Sequence, residues 1–338
     1  MRLRGAPRSA LFRARRSLGA VVRESGTEVD RLRYRSRGGA DLALFHQFTP
    51  APTGGGHQFL RAFVSELERR GLGVELNRIS ARTPVCLFNS FNFDFRRLRR
   101  FARGDCRKVH RVDGPIGVYR GFDDGTDARI EAVNRQLADA TVVQSQFSLE
   151  EHRRLGIVLR DPAVILNTVD PAIFHPPPSW EPPAGRKMRA IATSWSDNPN
   201  KGAEVFDWLD RNLDFERFEL TFVGRPSGHY ERIRTTGALA SGPVAEELRR
   251  HDVYIAASRN DPCSNALLEA LACGLPVAYR ESGGHPELVG DAGLPFSEPE
   301  EVPGVLEQLA RELADRRSAI SVTSLSDVAD SYLEVLRA

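Results

Sequence analysis

The stretch HPPPSWEPPAG, residues 175–185, limits what the chain can fold into more than any other. Five of its eleven residues are proline. Proline lacks the amide donor that a helix interior or a central strand requires, so the segment reads as a stiff linker. It divides 338 residues into two stretches, each of ordinary domain size. Before it, from residue 41, DLALFHQF is a short apolar run and TPAPTGGG a turn-rich loop. HQFLRAFVSELERRG then carries Phe59, Leu60, Phe63, Val64 and Leu67 on one helical face. GVELNRI, VCLFNSF, TVVQSQ and AVILNTV read as strands, and KVHRVDGP as a strand end and loop. DARIEAVNRQLADA reads as a helix, and Ser148 with Glu151 as the capping box of the next. After the linker, RAIATSW, FELTFVG, VYIAAS and PVAYR are strands; KGAEVFDWLDRNL, VAEELRRHD and SNALLEALACG are helices. Two more helices follow near 300–315 and 326–337.

Such alternation on both sides of a linker predicts an α/β protein of two doubly wound, Rossmann-like domains. The expected division is an Arg-rich extension over 1–40, a first domain over 41–178 and a second over 179–322. Residues 323–338 form a helix whose Val328, Tyr332 and Leu336 have little left to cover in the second domain, and it is expected to cross back to the first.

Composition narrows the class. Hydrophobic residues make up 41% of the chain and the net charge is only +2, so a sizeable core can form and the whole molecule is no polyanion binder. No window approaches the roughly 18 apolar residues of a membrane span, and the basic N-terminus lacks the apolar region of a secretory signal. Cys86, Cys106, Cys263 and Cys273 form no CxxC pair, which suits reduced thiols in a cytoplasmic protein. Lysine occurs only at 108, 187 and 201, so each lysine stands out against the arginine-rich background. Residues 1–37 hold eleven arginines against three acids, with Leu11, Phe12, Leu18, Val21 and Val22 at loosely helical spacing. This is either an extension with the chain's general arginine preference or an amphipathic arm for the inner membrane face. An arm binding nucleic acid or a membrane surface is a rival class of function, and it predicts steep salt dependence. Its shortness and mixed composition place it second, and no nucleic acid is expected.

In doubly wound sheets, ligands lie beyond the carboxyl ends of the strands. TPAPTGGGHQF places Gly54, Gly55 and Gly56 between a strand and a helix start, where backbone amides can approach an anion. It is neither GxGxxG nor a Walker loop. In SWSDNPNKG, Lys201 follows the first strand of the second half, a suitable place for a cation facing a diphosphate. In DPCSNALLEALACG, Ser264 is the expected N-cap of a helix whose first amides are open to phosphate. Glu269 lies one turn after Asn265 on the same face, placed to accept hydrogen bonds from a ribose diol. Asp261 precedes the helix and would reach the other end of the ligand. ESGGHPELV adds Gly283 and Gly284, with Glu287 behind them. The acidic turn DDGTD, residues 123–127, lacks the spacing of a calcium loop.

Taken in order, D-x7-E, ALACGLPV and SGGHPELV resemble the signature of the retaining glycosyltransferases of family 4, which have the GT-B fold. TGGGHQF, KVHRVDG, VVQSQF, LNTVDPAIFHP and NPNKG resemble further family segments, so the likeness runs over about residues 40–315. It implies a first domain on the acceptor side, a second that binds a nucleotide-diphosphate sugar, and transfer to a glycan, lipid-linked or small-molecule acceptor with retained configuration. It implies no metal and no cofactor beyond the nucleotide-sugar co-substrate. By the same resemblance Glu269 holds the ribose. Amides near Ser264, Asn265, Gly55, Gly56, Gly283 and Gly284 hold phosphates, and Lys201 meets the leaving charge. Asp261 and His110 orient the transferred sugar. Two departures stand out. Asp261 replaces the usual glutamate, and the family's arginine falls at Ser196, so that Arg225 or another arginine substitutes or phosphate stabilisation is weaker. A GT-B protein that binds the sugar nucleotide without transferring it is the other alternative.

Overall fold

A computed structural model describes residues 38–49, 55–195, 198–226 and 228–338. The Arg-rich arm over 1–37, Gly54 and Ser196 lie outside the described residues. Each half of the chain forms a six-stranded sheet in which all pairings are parallel. The first has the order β2-β1-β3-β4-β5-β6, from β1 (Leu42–Phe45), β2 (Val74–Leu76), β3 (Val85–Asn89), β4 (Arg107–Val112), β5 (Ala140–Val143) and β6 (Pro162–Val164). The second has the order β12-β11-β10-β7-β8-β9. Its strands are β7 (Met188–Ser194), β8 (Phe218–Gly224), β9 (Arg234–Thr236), β10 (Val253–Ala256), β11 (Val277–Arg280) and β12 (Gly293–Phe296).

Helices cover both faces of each sheet, which is why inner strands such as β1 (LALF) and β10 (VYIA) are continuous apolar runs and not alternating ones. Every residue of β1, β3, β5, β10 and β11 is buried. The three-residue edge strand β9, sequence RTT, is more exposed and polar, as edge strands often are. It escaped the sequence pattern, as did β12 and the short helices Phe95–Phe101 and Ile116–Arg120, because so few residues show no period.

Strand order reverses between β1 and β3 in the first sheet and between β7 and β10 in the second. These reversals open a crevice above the strand ends, where ligands of doubly wound folds bind.

Two local expectations need correction. The helix Gln146–Arg154 is capped by Ser145, whose hydroxyl accepts from the Ser148 amide at 3.0 Å. Ser148 lies inside the first turn with its own hydroxyl buried and unpartnered among the described residues. The chain also changes domains before the proline run. Ile165 belongs to the first core, whereas Leu166, Val169, Ile173 and Phe174 pack on the second. The proline segment then runs along the second domain, held by Trp180 against that core and under the Arg317 guanidinium at 4.7 Å.

The last helix, Leu325–Arg337, packs on the first sheet. Its Val328, Ala329, Tyr332 and Leu336 join Leu42, Leu44, Phe59 and Phe63 in one buried cluster. The Tyr332 ring lies 5.8 Å from Phe59 and 5.0 Å from Phe63. Full burial of one such side chain contributes about 1.5–3 kcal/mol. Arg70 reaches across to Asp330 and Ser326, and Thr168 donates to the Thr323 carbonyl at 2.6 Å.

Candidate functional site

A cavity of about 380 Å³ lies between the two sheets. The first half contributes residues that follow its strands: His46 after β1, Asn89 and Asn92 at the end of β3, Asp113 and Gly114 after β4, Gln144 after β5. Tyr119 joins them from the helix Ile116–Arg120, and Gly56, His57 and Gln58 from the start of the helix Gly55–Arg69. The second half contributes Trp195 and Lys201 after β7, Asp261 to Ala266 after β10, and Glu269. A second cavity, about 450 Å³, adjoins the first and shares Gln58, Trp195, Asn265 and Glu269 with it.

Lys201 ends a short turn, Pro199–Lys201, whose shape depends on the next residue. Gly202 has φ +78°, and a Cβ there would lie 2.3 Å from the Ala257 carbonyl oxygen. Lys201 Nζ donates to Asp261 Oδ2 at 2.8 Å and lies 5.1 Å from the centre of the Tyr119 ring. Burial works against the ammonium, but Asp261 and Tyr119 outweigh it and hold the lysine above its usual range. Burial likewise raises the Asp261 carboxyl, and Lys201 with His285 brings it below the usual carboxylate range. The pair is therefore ionised.

Glu269 differs. It is 8% exposed and its carboxyl has no hydrogen-bond or ion-pair partner among the described residues. Burial alone lifts it to about 8. A buried acid without a partner is costly to ionise, and this one borders both cavities. Ser264 caps the helix Asn265–Ala272 by accepting from the Leu267 amide at 3.4 Å, so the first turn of that helix opens toward the cavity.

The other expected site residues divide. Asn265 lines both cavities, and its Oδ1 accepts from Asn167 Nδ2 at 3.2 Å. Gly55 and Gly56 belong to the first turn of a helix and not to a loop; Gly56 lines the cavity. Gly283 and Gly284 do not line the cavity. A Cβ on either would lie 2.4 Å from the backbone oxygen of Asp261 or Pro262, and the Gly284 amide already donates to the Asp261 carbonyl at 2.9 Å. Their role is to let the loop holding Asp261 be backed by another main chain. Arg225 is exposed at the end of β8, with its amide on the Ser194 carbonyl, and does not line the cavity.

His110 does not reach the cavity, contrary to the expectation that it orients the sugar. It is fully buried within β4, stacked on Phe88 at 4.2 Å, with Nε2 on the Ser90 carbonyl and Nδ1 facing Asn134. Side chains alternate along a strand, and this one points into a helix-covered layer. Burial lowers it to about 4. The acid that reaches the cavity from this strand is Asp113, which accepts from Arg111 Nη1 at 3.2 Å and from Gln144.

Several contacts join the halves around the cavity. Asn198 and Asn200 each donate to the Tyr119 carbonyl at 2.9 Å. Glu287 accepts from the Gln146 amide at 2.9 Å, capping a first-half helix, and Ser241 donates to Gln58 at 2.5 Å. The sequence signal for Asn89, Asp113, Gln144 and Trp195 was available: each lies at or just beyond the carboxyl end of a parallel strand.

Residues 204–315 match the family model described as "Glycosyl transferases group 1"; this segment includes Asp261, Ser264, Asn265 and Glu269. No curated protein sequence matches the chain. Among solved structures, HepE of Anabaena in complex with UDP and glucose superposes with a TM-score of 0.66 at 16% identity, covering 89% of this chain and 100% of that one. A glycosyltransferase of Rickettsia africae gives 0.60 at 15%, covering 88% and 97%. Sucrose-phosphate synthase of Thermosynechococcus elongatus gives 0.58 at 16%, covering 86% and 80%. The chain has the GT-B fold, two doubly wound α/β halves facing across a cleft.

Proposed function

We propose that the cleft binds a nucleotide-diphosphate sugar and transfers the sugar to an acceptor hydroxyl, as the retaining enzymes of glycosyltransferase family 4 do. The observation that carries this reading is Glu269, a buried carboxyl without a partner at the junction of two cavities, one turn from the open start of a helix. A ribose diol supplies the hydrogen bonds that this carboxyl lacks. The match of residues 204–315 to group 1 glycosyltransferases supports the same reading. UDP is the first nucleotide to test, since HepE was crystallised with it.

In this reading the diphosphate lies between the start of the helix Asn265–Ala272 and Lys201. The anomeric C–O bond to the diphosphate breaks as the acceptor oxygen bonds to the anomeric carbon from the same face. The acceptor proton passes to the departing phosphate oxygen, so no glycosidase-like carboxylate pair is needed. Lys201 offsets the charge that grows on that oxygen. Its three donors allow it to keep Asp261 while meeting phosphate. Asp261 and Asp113 face the transferred sugar from opposite walls. No metal or further cofactor has a role in this scheme. No helix among the described residues is long and apolar enough to cross a membrane; contact with the inner membrane face would fall to residues 1–37.

The test is a thermal-shift panel of UDP, UDP-glucose, UDP-N-acetylglucosamine and GDP-mannose, followed by slow hydrolysis of whichever sugar nucleotide binds. A ligand of the native state raises the melting temperature by mass action. A chain that none of them stabilises does not take a UDP or GDP donor, and that result counts against the reading.

A further inference from the structure

The first-half wall of the cleft holds two histidines to which the scheme above gives no work. His46 Nε2 and His57 Nδ1 are 2.9 Å apart, and His46 Nδ1 is 3.3 Å from Asn89 Nδ2. Asn89 Oδ1 in turn accepts from Arg111 Nη1 at 2.6 Å. His46, His57 and Asn89 all line the cavity. His57 Nε2 has no partner among the described residues.

Hydrogen-bond chemistry orients this chain without ambiguity. A guanidinium only donates, so the Asn89 oxygen must face Arg111 and the Asn89 NH₂ must face His46. That NH₂ can only donate, so His46 Nδ1 is the acceptor nitrogen and carries no proton. The proton of neutral His46 is then on Nε2, which donates to His57 Nδ1. The proton of neutral His57 is left on Nε2. Both rings are neutral near pH 7. Burial lowers His46 to about 4, with His57, Arg111 and Arg61 acting the same way against Asp113. Burial and Arg61 lower His57, again against Asp113.

The head of the chain is itself fixed. Arg111 is fully buried. It also donates to Asn167 Oδ1 at 2.7 Å and to the Tyr332 hydroxyl at 3.2 Å, and it lies over the Phe59 ring at 4.9 Å. The tail is at the third residue of the helix Gly55–Arg69, whose first turn contains no acid. Nothing acidic in that turn competes for the donor.

We propose that His57 is a neutral Nε2–H donor to a phosphoryl oxygen of the sugar nucleotide, with its tautomer dictated by Arg111, Asn89 and His46. It is a binding residue and no general base, because the nitrogen left without a protein partner already carries its proton. Arg111, Asn89 and His46 are positioning residues that act through it. The ligand assignment rests on the sugar-nucleotide reading; the tautomer does not.

Two measurements on the full chain test this separately. Side-chain nitrogen NMR at pH 7 should show protonated Nε2 and bare Nδ1 on both rings. A protonated Nδ1 on His57, or titration of that ring near pH 6.5, overturns the relay. Titration calorimetry and NMR with UDP and with uridine then locate the contact. His57→Phe should weaken UDP by about tenfold or more, the scale of a hydrogen bond to a charged group, and leave uridine unchanged. His57→Gln, whose amide nitrogen can stand near the place of Nε2, should stay within about threefold of wild type for UDP. Equal losses for UDP and uridine, or no loss of UDP in the phenylalanine variant, overturn the phosphoryl contact. If wild-type protein binds uridine and UDP not at all, the sugar-nucleotide reading falls and takes the ligand with it, while the tautomer result stands by itself.

Discussion

Lys201 Nζ and Asp261 Oδ2 meet at 2.8 Å, joining the turn after β7 to the loop after β10 across the strand-order reversal of the second sheet. Tyr119 of the first half lies against the same ammonium. The cleft's lysine is therefore ion-paired and held in position by protein groups alone.

Removing Lys201 should have two separable effects. Lys201→Ala leaves Asp261 buried without its cation, and breaking such a pair costs about 3–5 kcal/mol, so the melting temperature should fall. Turnover of the sugar nucleotide should fall much further than affinity for UDP. The double variant Lys201→Met, Asp261→Asn should recover most of the stability and none of the turnover. Recovered turnover in that variant would assign the cation's work elsewhere.

Glu269→Gln should weaken sugar-nucleotide binding by at least about tenfold, since hydrogen bonds to a charged group contribute about 1.5–3 kcal/mol. Free protein should respond in the opposite direction. The unfolded chain loses the Glu269 proton near the ordinary value of 4.5, whereas the folded protein keeps it to about 8. Stability therefore falls as pH rises through that window and levels off above it. The glutamine variant should be more stable than wild type at pH 8.5 and nearly equal at pH 4.5, by thermal denaturation.

Binding should carry the same linkage. A ribose diol favours the ionised carboxylate, so binding lowers the Glu269 carboxyl and releases its proton. UDP affinity should then rise from pH 6 toward pH 8, more steeply in wild type than in Glu269→Gln. The variant controls for titration of the nucleotide's own phosphate. Calorimetry in buffers of different ionisation enthalpy measures the proton count directly, and parallel pH profiles for the two proteins would place the ribose elsewhere.

Tyr332→Ala should cost about 3–5 kcal/mol by opening a cavity between Phe59 and Phe63. Tyr332→Phe keeps the ring and removes only the acceptor for Arg111 Nε, at about 1–2 kcal/mol. Chemical denaturation distinguishes them. An alanine variant as stable as the phenylalanine one would mean that the last helix contributes little to the first core.

The contacts between halves predict a cleft that is closed in the free protein. Glu287→Ala combined with Asn200→Ala removes two of them, the cap on Gln146 and one clamp on the Tyr119 carbonyl. Small-angle scattering should show a larger radius of gyration for this variant, reversed by saturating sugar nucleotide. An unchanged radius would mean that the remaining contacts, or the last helix, hold the halves alone.

The strand–helix alternation was legible in the sequence because two-sided burial demands long apolar runs, and such runs survive as a pattern. The second-half site was legible too. Asp261, Ser264, Asn265 and Glu269 are bound to one loop and one helix start, so their spacing in the chain is nearly their spacing in space. The first-half wall was not. It is assembled from single residues at the ends of β1, β3, β4 and β5, and which one enters the cleft depends on strand register. That is why His110, a strand residue aimed into a core layer, stood in for Asp113 three positions later. The glycines misled for a related reason: Gly283 and Gly284 permit a close approach, but only the fold shows that the approaching group is the backbone of Asp261 and Pro262. Apolar periodicity and residue spacing were enough to give two doubly wound halves and a carboxyl with no reason to be on a buried helix face. What stands opposite that carboxyl emerged only in the folded protein, because direction across a cleft comes from packing and register, which spacing along a chain does not encode.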